Sequence, residues 1–193
     1  MLKKLIVASI ACVVSFAAAA ANPQIEIRTN MGTVTVELYP ENAPVTVENF
    51  LQYVKNGHYD GTVFHRVIPG FMIQGGGFTP DLREKATRAP IKNEAGNGLR
   101  HAAGMLAMAR TPDPHSASAQ FFINLDENPA LDFRAPTREG YGYCVFGKVV
   151  SGMDVVNRIA KVATGAKPGH NDVPLKPVVI ERIRRVDAAA PPK

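Results

Sequence analysis

Several residue types and patterns that mark common protein classes are absent or rare in this 193-residue chain. It has no tryptophan and only two cysteines, Cys12 and Cys144, so it is not a disulfide-stabilised scaffold. Its five histidines lack the spacing of a metal site. No basic run is interleaved with aromatic residues, so nucleic-acid binding is not indicated. There is no internal repeat, and 46% hydrophobic residues are enough for one core but few for two ordinary domains.

The single long apolar run lies at the N-terminus. Lys3 and Lys4 precede an uncharged apolar stretch from Leu5 to Phe16, and a run of alanines occupies positions 17–21. This order is typical of a secretory signal peptide. We therefore predict that residues 1–21 are removed and that the chain is exported, with cleavage after Ala19, Ala20 or Ala21.

Two alternatives exist for this N-terminal segment. A retained membrane anchor needs about 20 strongly apolar residues, whereas this stretch is shorter and rich in alanine. Lipid attachment at Cys12 lacks the leucine that usually precedes such a site. After cleavage, Cys144 is the sole cysteine, and its apolar neighbours favour a buried side chain over a nucleophile. We expect no membrane segment in the mature chain.

The remaining sequence predicts many short strands and two helices. Pro44 opens a segment with helical spacing that Gly57 closes, and a second short helix fits Met153 to Ala160. Alternating or short apolar runs predict strands at 24–28, 33–38, 62–68, 71–74, 105–109, 121–125, 143–150 and 177–184. This pattern favours a mostly β fold, a closed or nearly closed antiparallel barrel with helical caps.

The predicted organisation is a domain over residues 22–186 followed by a flexible C-terminal tail over 187–193, which ends in alanines, prolines and lysine. The segments 79–98 and 111–118 are long for loops of a compact domain. Long loops are often functional, so both are candidates for a role in binding.

Three segments carry the chemistry. They are FHRVIPGFMIQGGG at 64–77, GMLAMAR at 104–110 followed by SAQFFI at 118–123, and VFGKV at 145–149. Together they resemble the cyclophilins, a family of peptidyl-prolyl cis-trans isomerases, and the likeness extends from about Ile25 to Val186. It implies an eight-stranded antiparallel barrel capped by two α-helices. The short loop after Gly77 and the N-terminal signal resemble the bacterial periplasmic branch, which implies a periplasmic location.

The resemblance also implies a site. Arg66 matches the catalytic arginine of the family. Phe71, Met72, Phe122 and Leu131 match walls of a pocket for the substrate proline, and Gln74 and Gln120 match polar groups beside it. Backbone at Arg110 matches the stretch that holds an extended peptide, and the implied substrate-binding set is completed by Ala109 and Tyr143. No cofactor or metal is implied. The implied partners are proline-containing unfolded or extended polypeptides, and we expect a monomer.

The sequence departs from the family pattern at two positions and in one loop. Ala130 stands where eukaryotic members carry tryptophan and bacterial relatives often carry phenylalanine. Because a large ring is missing there, we expect weak binding of cyclosporin A. Tyr143 stands where many eukaryotic members carry histidine, and the loop 133–142 is extended.

Other interpretations of these residues stay open. Arg66 alone could be a solvated surface charge, but its place in a strand among apolar residues requires a partner or a cleft, and Gln74 could position it. Gly75 to Gly77 are interpreted as a turn rather than a phosphate site because no Lys-Ser/Thr follows. His65 is predicted to face away from Arg66, since neighbours on a strand point to opposite sides. A non-catalytic proline-peptide binding module, a holdase chaperone or a structural partner of an envelope complex are the alternatives to an enzyme.

Overall fold

The structure is a computed structural model that describes residues 21–186, in which ten strands and two α-helices are connected by loops. In chain order the elements are β1 Gln24–Thr29, β2 Gly32–Leu38, α1 Pro44–Lys55, β3 Thr62–Ile68, β4 Met72–Gly75, β5 Met105–Met108, β6 Phe121–Asn124, a 3₁₀ turn Pro129–Leu131, β7 Val145–Ser151, α2 Met153–Ile159, β8 Thr164–Lys167, β9 His170–Pro174 and β10 Val179–Val186.

Eight of these strands close into an antiparallel barrel in the order β1-β10-β3-β4-β6-β5-β7-β2. The first and last strands are neighbours, with Gln24 opposite Val186, so the barrel closes only when both ends of the described chain pair. Closure leaves none of the eight strands with an unpaired edge. The predicted fold class, a closed eight-stranded barrel with two helices, is therefore confirmed.

The barrel interior follows from the period-two alternation of the strands. Ile25 and Ile27 of β1 point inward, as do Phe121 and Ile123 of β6, and all four are fully buried. Helix α1 covers this core with an apolar face that includes Phe50. The centroid of the Phe50 ring lies 5.0–5.6 Å from the ring centroids of Tyr59, Phe121 and Phe146. Apolar burial of this extent is the main driving force for the fold.

Several boundaries differ from the sequence prediction. Strand β7 begins at Val145 rather than at Tyr143, because Gly142 has φ +65° and the Tyr143 N–H donates outside the sheet, to the Leu131 carbonyl. Strand β10 runs two residues further, to Val186. Gly75 belongs to β4 and Gly76 has φ +87°, so the turn begins one residue later than predicted.

The sequence prediction missed the two-stranded sheet β8–β9 and the short 3₁₀ turn. In β8–β9 only Val173 and Pro174 are buried, so the segment lacks the alternation that marks a strand. The predicted tail 187–193 and all but the last residue of the predicted signal peptide lie outside the described residues. Within residues 21–186, neither helix has the length and apolar character needed to cross a membrane.

Candidate functional site

A second hydrophobic cluster lies on the outer face of the barrel. The alternation that turns Phe121 and Ile123 inward turns Phe122 outward, where it meets Met72 of β4, Ala107 of β5 and Val145 of β7. These four side chains are buried by their neighbours although they point away from the main core. An apolar surface on the outside of a closed barrel is a candidate binding site.

A small cavity of about 100 Å³ opens over this cluster. Its walls are Arg66, Phe71, Met72, Gln74, Ala109, Arg110, Phe122, Leu131 and Tyr143. All but one of the residues that the resemblance assigns to the site therefore line one cavity. The exception, Gln120, is adjacent, because its side-chain oxygen accepts a hydrogen bond of 3.0 Å from the Gln74 amide.

An aromatic stack forms one wall of the cavity. The Phe122 ring lies parallel to the buried His101 ring, with 5.7 Å between centroids, and meets Tyr143 edge-on at 5.8 Å. His101 is held on both ring nitrogens: Asn124 Nδ2 contacts Nδ1 at 3.2 Å, and the Tyr143 carbonyl lies 3.1 Å from Nε2. Since an amide nitrogen only donates, this network assigns the ring proton to Nε2. Burial lowers the pKa of His101, which favours the neutral ring.

Arg110 lines the cavity next to Tyr143. Its guanidinium carbon lies 4.5 Å above the centre of the Tyr143 ring, its Nε donates to the Gly142 carbonyl at 2.9 Å, and Nη1 donates to the Thr111 carbonyl. These contacts hold the Arg110 side chain against the Tyr143 ring and restrict its rotation. The predicted role of this stretch in holding a peptide stays a prediction.

Arg66 lies at the entrance, with 43% of its side chain exposed. Gln74 is its cross-strand partner in the β3–β4 ladder, but the Gln74 amide donates to Gln120 instead of supporting the guanidinium. The side chain within ion-pair distance is Asp172 of β9, whose Oδ2 lies 3.9 Å from Arg66 Nε. Gln74 is therefore not the partner of Arg66 that the sequence predicted. In the structure this place is taken by Asp172, from the β8–β9 hairpin that the sequence did not predict. His65, the residue before Arg66, is buried and contacts Phe78 and His170. A β-bulge lies between Phe64 and Arg66, and Phe64 and Val67 both belong to the inner core, so the alternation that predicted an orientation of His65 away from Arg66 is interrupted here.

Ala130 lies exposed in the 3₁₀ turn, next in sequence to Leu131, which lines the cavity. The extended loop 133–142 folds back on itself, since the N–H groups of Arg134 and Ala135 both donate to the Gly140 carbonyl. The ring of Tyr141 in this loop contacts His115 in the second long loop at 4.9 Å. The loop therefore braces the segment 111–118.

The polar side chains that line the cavity are two arginines, one glutamine and one tyrosine. In residues 21–186 no three His, Cys, Asp or Glu side chains are grouped as metal ligands would be. Cys144 is buried behind the site beside Thr46, and burial raises the pKa of its thiol to about 11, so it stays protonated near neutral pH. The described groups can bind an apolar ring, donate from a guanidinium and hydrogen-bond a peptide.

Two residues at the site had no signal in the sequence analysis. No other histidine or cysteine lies at metal-ligand spacing from His101, so its place in the sequence offered no reason to select it. Its contact with Phe122 forms only when β6 and the segment 99–104 pack together. Asp172 lies in a short polar stretch after Pro168-Gly169, a pattern that indicates a loop. Both positions depend on contacts between residues far apart in the chain.

A closed eight-stranded barrel with two helices and an arginine beside an outer apolar cavity defines the cyclophilin fold class. In the solved structures, a cyclophilin type peptidyl-prolyl cis-trans isomerase of Cryptosporidium parvum matches with a TM-score of 0.70 and 27% identity, over 86% of this chain and 99% of the other. A structure of that protein in the presence of the dipeptide Ala-Pro matches with a TM-score of 0.69.

Sequence comparisons define the family further. The model for cyclophilin type peptidyl-prolyl cis-trans isomerases matches residues 24–185. A peptidyl-prolyl cis-trans isomerase of Streptomyces antibioticus is 59% identical over 81% of this chain and 95% of its own length. Peptidyl-prolyl cis-trans isomerase B of Escherichia coli is 54% identical over 82% of this chain and 97% of its own length. The chain belongs to the cyclophilin type peptidyl-prolyl cis-trans isomerases and is an isomerase enzyme, which confirms the resemblance.

Proposed function

We propose that this isomerase accelerates rotation about X–Pro bonds in exported polypeptides and so assists their folding, with Arg66 as its catalytic residue. The observation that carries the proposal is the position of the Arg66 guanidinium at the entrance of a small apolar cavity. Within residues 21–186 this guanidinium makes no hydrogen bond, so its terminal N–H groups are available to a substrate.

The chemistry follows from the electronic structure of the amide. Rotation about an X–Pro bond has a barrier of ~20 kcal/mol because the nitrogen lone pair is delocalised into the carbonyl. In the twisted transition state the lone pair returns to nitrogen and becomes a hydrogen-bond acceptor. A guanidinium aimed at that nitrogen binds the twisted amide better than the planar amide. Only such differential binding raises the rate.

One hydrogen bond from Arg66 is too weak to account for the whole rate acceleration. A charge-assisted hydrogen bond supplies about 1.5–3 kcal/mol, which is roughly one to two powers of ten in rate. The remainder is assigned to the cavity, where Phe71, Met72 and Phe122 hold the proline ring while the rest of the peptide stays fixed on the Arg110 side. The small cavity volume suits one proline ring better than a large ligand. The Ala-Pro dipeptide used with the Cryptosporidium parvum relative supports this substrate class.

The test is magnetisation-exchange NMR on a short Ala-Pro peptide with catalytic amounts of the chain lacking residues 1–21. The wild-type chain should accelerate exchange. Arg66→Ala should fold normally and lose most of this acceleration, by roughly tenfold to a hundredfold. The control is Arg28→Ala on β1, which removes an exposed arginine paired with Glu181 and should leave turnover unchanged.

Near wild-type turnover by Arg66→Ala would contradict the assignment of this residue. No acceleration by either chain, with peptide resonances still shifted on binding, would instead favour the proline-peptide binding module. A holdase should also suppress aggregation of an unfolded client equally well with and without Arg66, whereas the isomerase loses its effect with that single change.

The binding of cyclosporin A is proposed to be weak, since Ala130 offers no large ring at the cavity rim. Ala130→Trp should tighten inhibition by about tenfold, which corresponds to ~1.4 kcal/mol. Ala130→Ser is the control and should not tighten it. Tight inhibition of the wild-type enzyme would contradict this proposal.

A further inference from the structure

The hairpin β8–β9 contains a β-bulge next to the site. Gly165 pairs with Val173 and Lys167 pairs with His170. Between these pairs, one residue of β8, Ala166, faces two residues of β9, Asn171 and Asp172. A bulge of this kind bends its strand and changes the direction of the inserted side chain, and bulges are frequent beside active sites.

The bulge places Asp172 in a strained backbone conformation. Its φ is +58°, and within residues 21–186 only one other non-glycine residue, Leu82, has a positive φ. Aspartate and asparagine tolerate this left-handed conformation better than most residues, but glycine adopts it without strain. Backbone strain of this kind persists where surrounding contacts maintain it, and it is concentrated at functional sites.

Contacts with β3 hold the hairpin in place. His170, at the start of β9, contacts the ring of Phe78 at 5.0 Å, and Phe78 contacts the buried His65 ring at 4.6 Å. Val173 of β9 is buried as well. The hairpin is therefore fixed against the strand that carries Arg66.

This arrangement directs the Asp172 carboxylate at Arg66, with 3.9 Å between Oδ2 and Nε. We propose that Asp172 is a positioning residue that holds the Arg66 guanidinium over the cavity, an inference that rests on the proposed role of Arg66. Contact on the Nε side leaves the terminal Nη groups available for the prolyl nitrogen. Without a partner, a long and partly exposed arginine side chain samples many rotamers, and only some place it over the substrate.

The expected effect is modest because both side chains are 43% exposed and the pair is screened by water. Asp172→Asn should lower kcat and kcat/KM together by about two- to fivefold, which corresponds to ~0.4–1 kcal/mol, and leave KM unchanged. Asparagine tolerates the positive φ, so this variant removes the charge and keeps the bulge.

Asp172→Gly separates strain from function. It removes the whole side chain and relieves the left-handed backbone, so its Tm should be equal to or higher than that of the wild type while its kcat falls as in Asp172→Asn. The matched control is Asp154→Asn, which breaks an exposed ion pair with Arg158 on α2 and should keep wild-type kcat. A loss of kcat by Asp172→Gly at unchanged or raised Tm excludes general destabilisation as its cause.

A double-mutant cycle by the same NMR exchange assay tests whether Asp172 acts through Arg66. In the Arg66→Ala background, Asp172→Asn should cause no further loss. The Nε–Hε resonance of Arg66 should shift in Asp172→Asn and stay in place in Asp154→Asn. The difference between wild type and Asp172→Asn should also shrink at 1 M salt, where charge interactions are screened within about 3 Å.

The failure of this inference is distinguishable from failure of the proposed function. If Arg66→Ala loses catalysis while Asp172→Asn retains full kcat, the positioning role of Asp172 is wrong and the role of Arg66 stands. An equal loss from Asp172→Asn with and without Arg66 would also overturn it. If Arg66→Ala itself keeps wild-type turnover, the proposed function fails first.

Discussion

His65 is a buried histidine with an incomplete set of hydrogen bonds. Its residue is 5% exposed, and its Nδ1 finds no hydrogen-bond partner among the described residues. Burial lowers its pKa to about 4, and the positive charges of His170 and Arg66 contribute to this lowering. The folded protein therefore keeps this ring neutral at pH values where the unfolded chain protonates it.

We expect the free energy of unfolding to decrease as the pH falls from about 6.5 towards 4. In this window the unfolded state binds more protons at His65 than the folded state, so stability rises with pH and is fully present only above the unfolded pKa. The full loss below pH 4 amounts to about 3 kcal/mol, on the order of 1.4 kcal/mol for each unit of pKa difference. Urea unfolding at several pH values measures it.

The variant that tests the role of this ring is His65→Leu, compared with the wild type. His65→Leu should reduce the slope of unfolding free energy against pH, and the remainder should come from His58 and His101, whose pKa values burial also lowers. An unaltered slope in His65→Leu would show that this ring is accessible to protons in the folded state.

At the scale of elements, α1 receives its N-terminal cap from a distant loop. Ala43 at the N-cap position has no side-chain oxygen. The Glu94 carboxylate instead accepts hydrogen bonds from the N–H groups of Val45 and Thr46, at 3.2 and 2.8 Å, and from the Thr46 hydroxyl at 2.7 Å. A negative charge here also complements the positive end of the helix.

Glu94→Ala should lower the free energy of unfolding by about 1–2 kcal/mol, as the loss of a helix cap usually does, and Glu94→Gln should lower it by less. Denaturant unfolding at neutral pH measures both. Glu48→Ala is the control, because Glu48 lies on the exposed face of the same helix and contacts only Gln52 by side-chain hydrogen bonding. Equal stability of Glu94→Ala and Glu48→Ala would show that the cap contributes nothing.

At the scale of the whole molecule, the barrel depends on β1. This strand begins at Gln24 and pairs with both β10 and β2. Cleavage after Ala19, Ala20 or Ala21 therefore removes no residue of the barrel. Stability also does not depend on a disulfide, because Cys144 is free and buried in the described part of the chain.

Export is tested on the full-length chain in a bacterial host. We expect the protein in the periplasmic fraction, with a mass that places its first residue at Ala20, Ala21 or Asn22. A chain without residues 2–21 is the control and should stay in the cytoplasm with equal isomerase activity. Full-length protein that retains Met1, or protein found only in the membrane fraction, would contradict the signal-peptide prediction.

Most barrel strands could be predicted because alternation and turn residues are local signals. The inward Phe121 and outward Phe122 follow from a period of two, and this same alternation creates the outer apolar cluster. The hairpin β8–β9 could not be predicted, because its few buried residues and its bulge give no periodic pattern. Resemblance to a family located the cavity residues, which local patterns alone assign to an ordinary core.

The sequence by itself determined the eight barrel strands, the two helices, the family and the group of residues around Arg66, because these depend on local patterns and on motifs that are continuous in the chain. Only the tertiary structure decided which side chains hold the site residues and the first helix in place. Asp172 reaches Arg66 from β9, His101 supports Phe122, and Glu94 caps α1. Each of these contacts joins residues distant in sequence. Their partners are selected by barrel closure and packing, which leave no periodic signal along the chain.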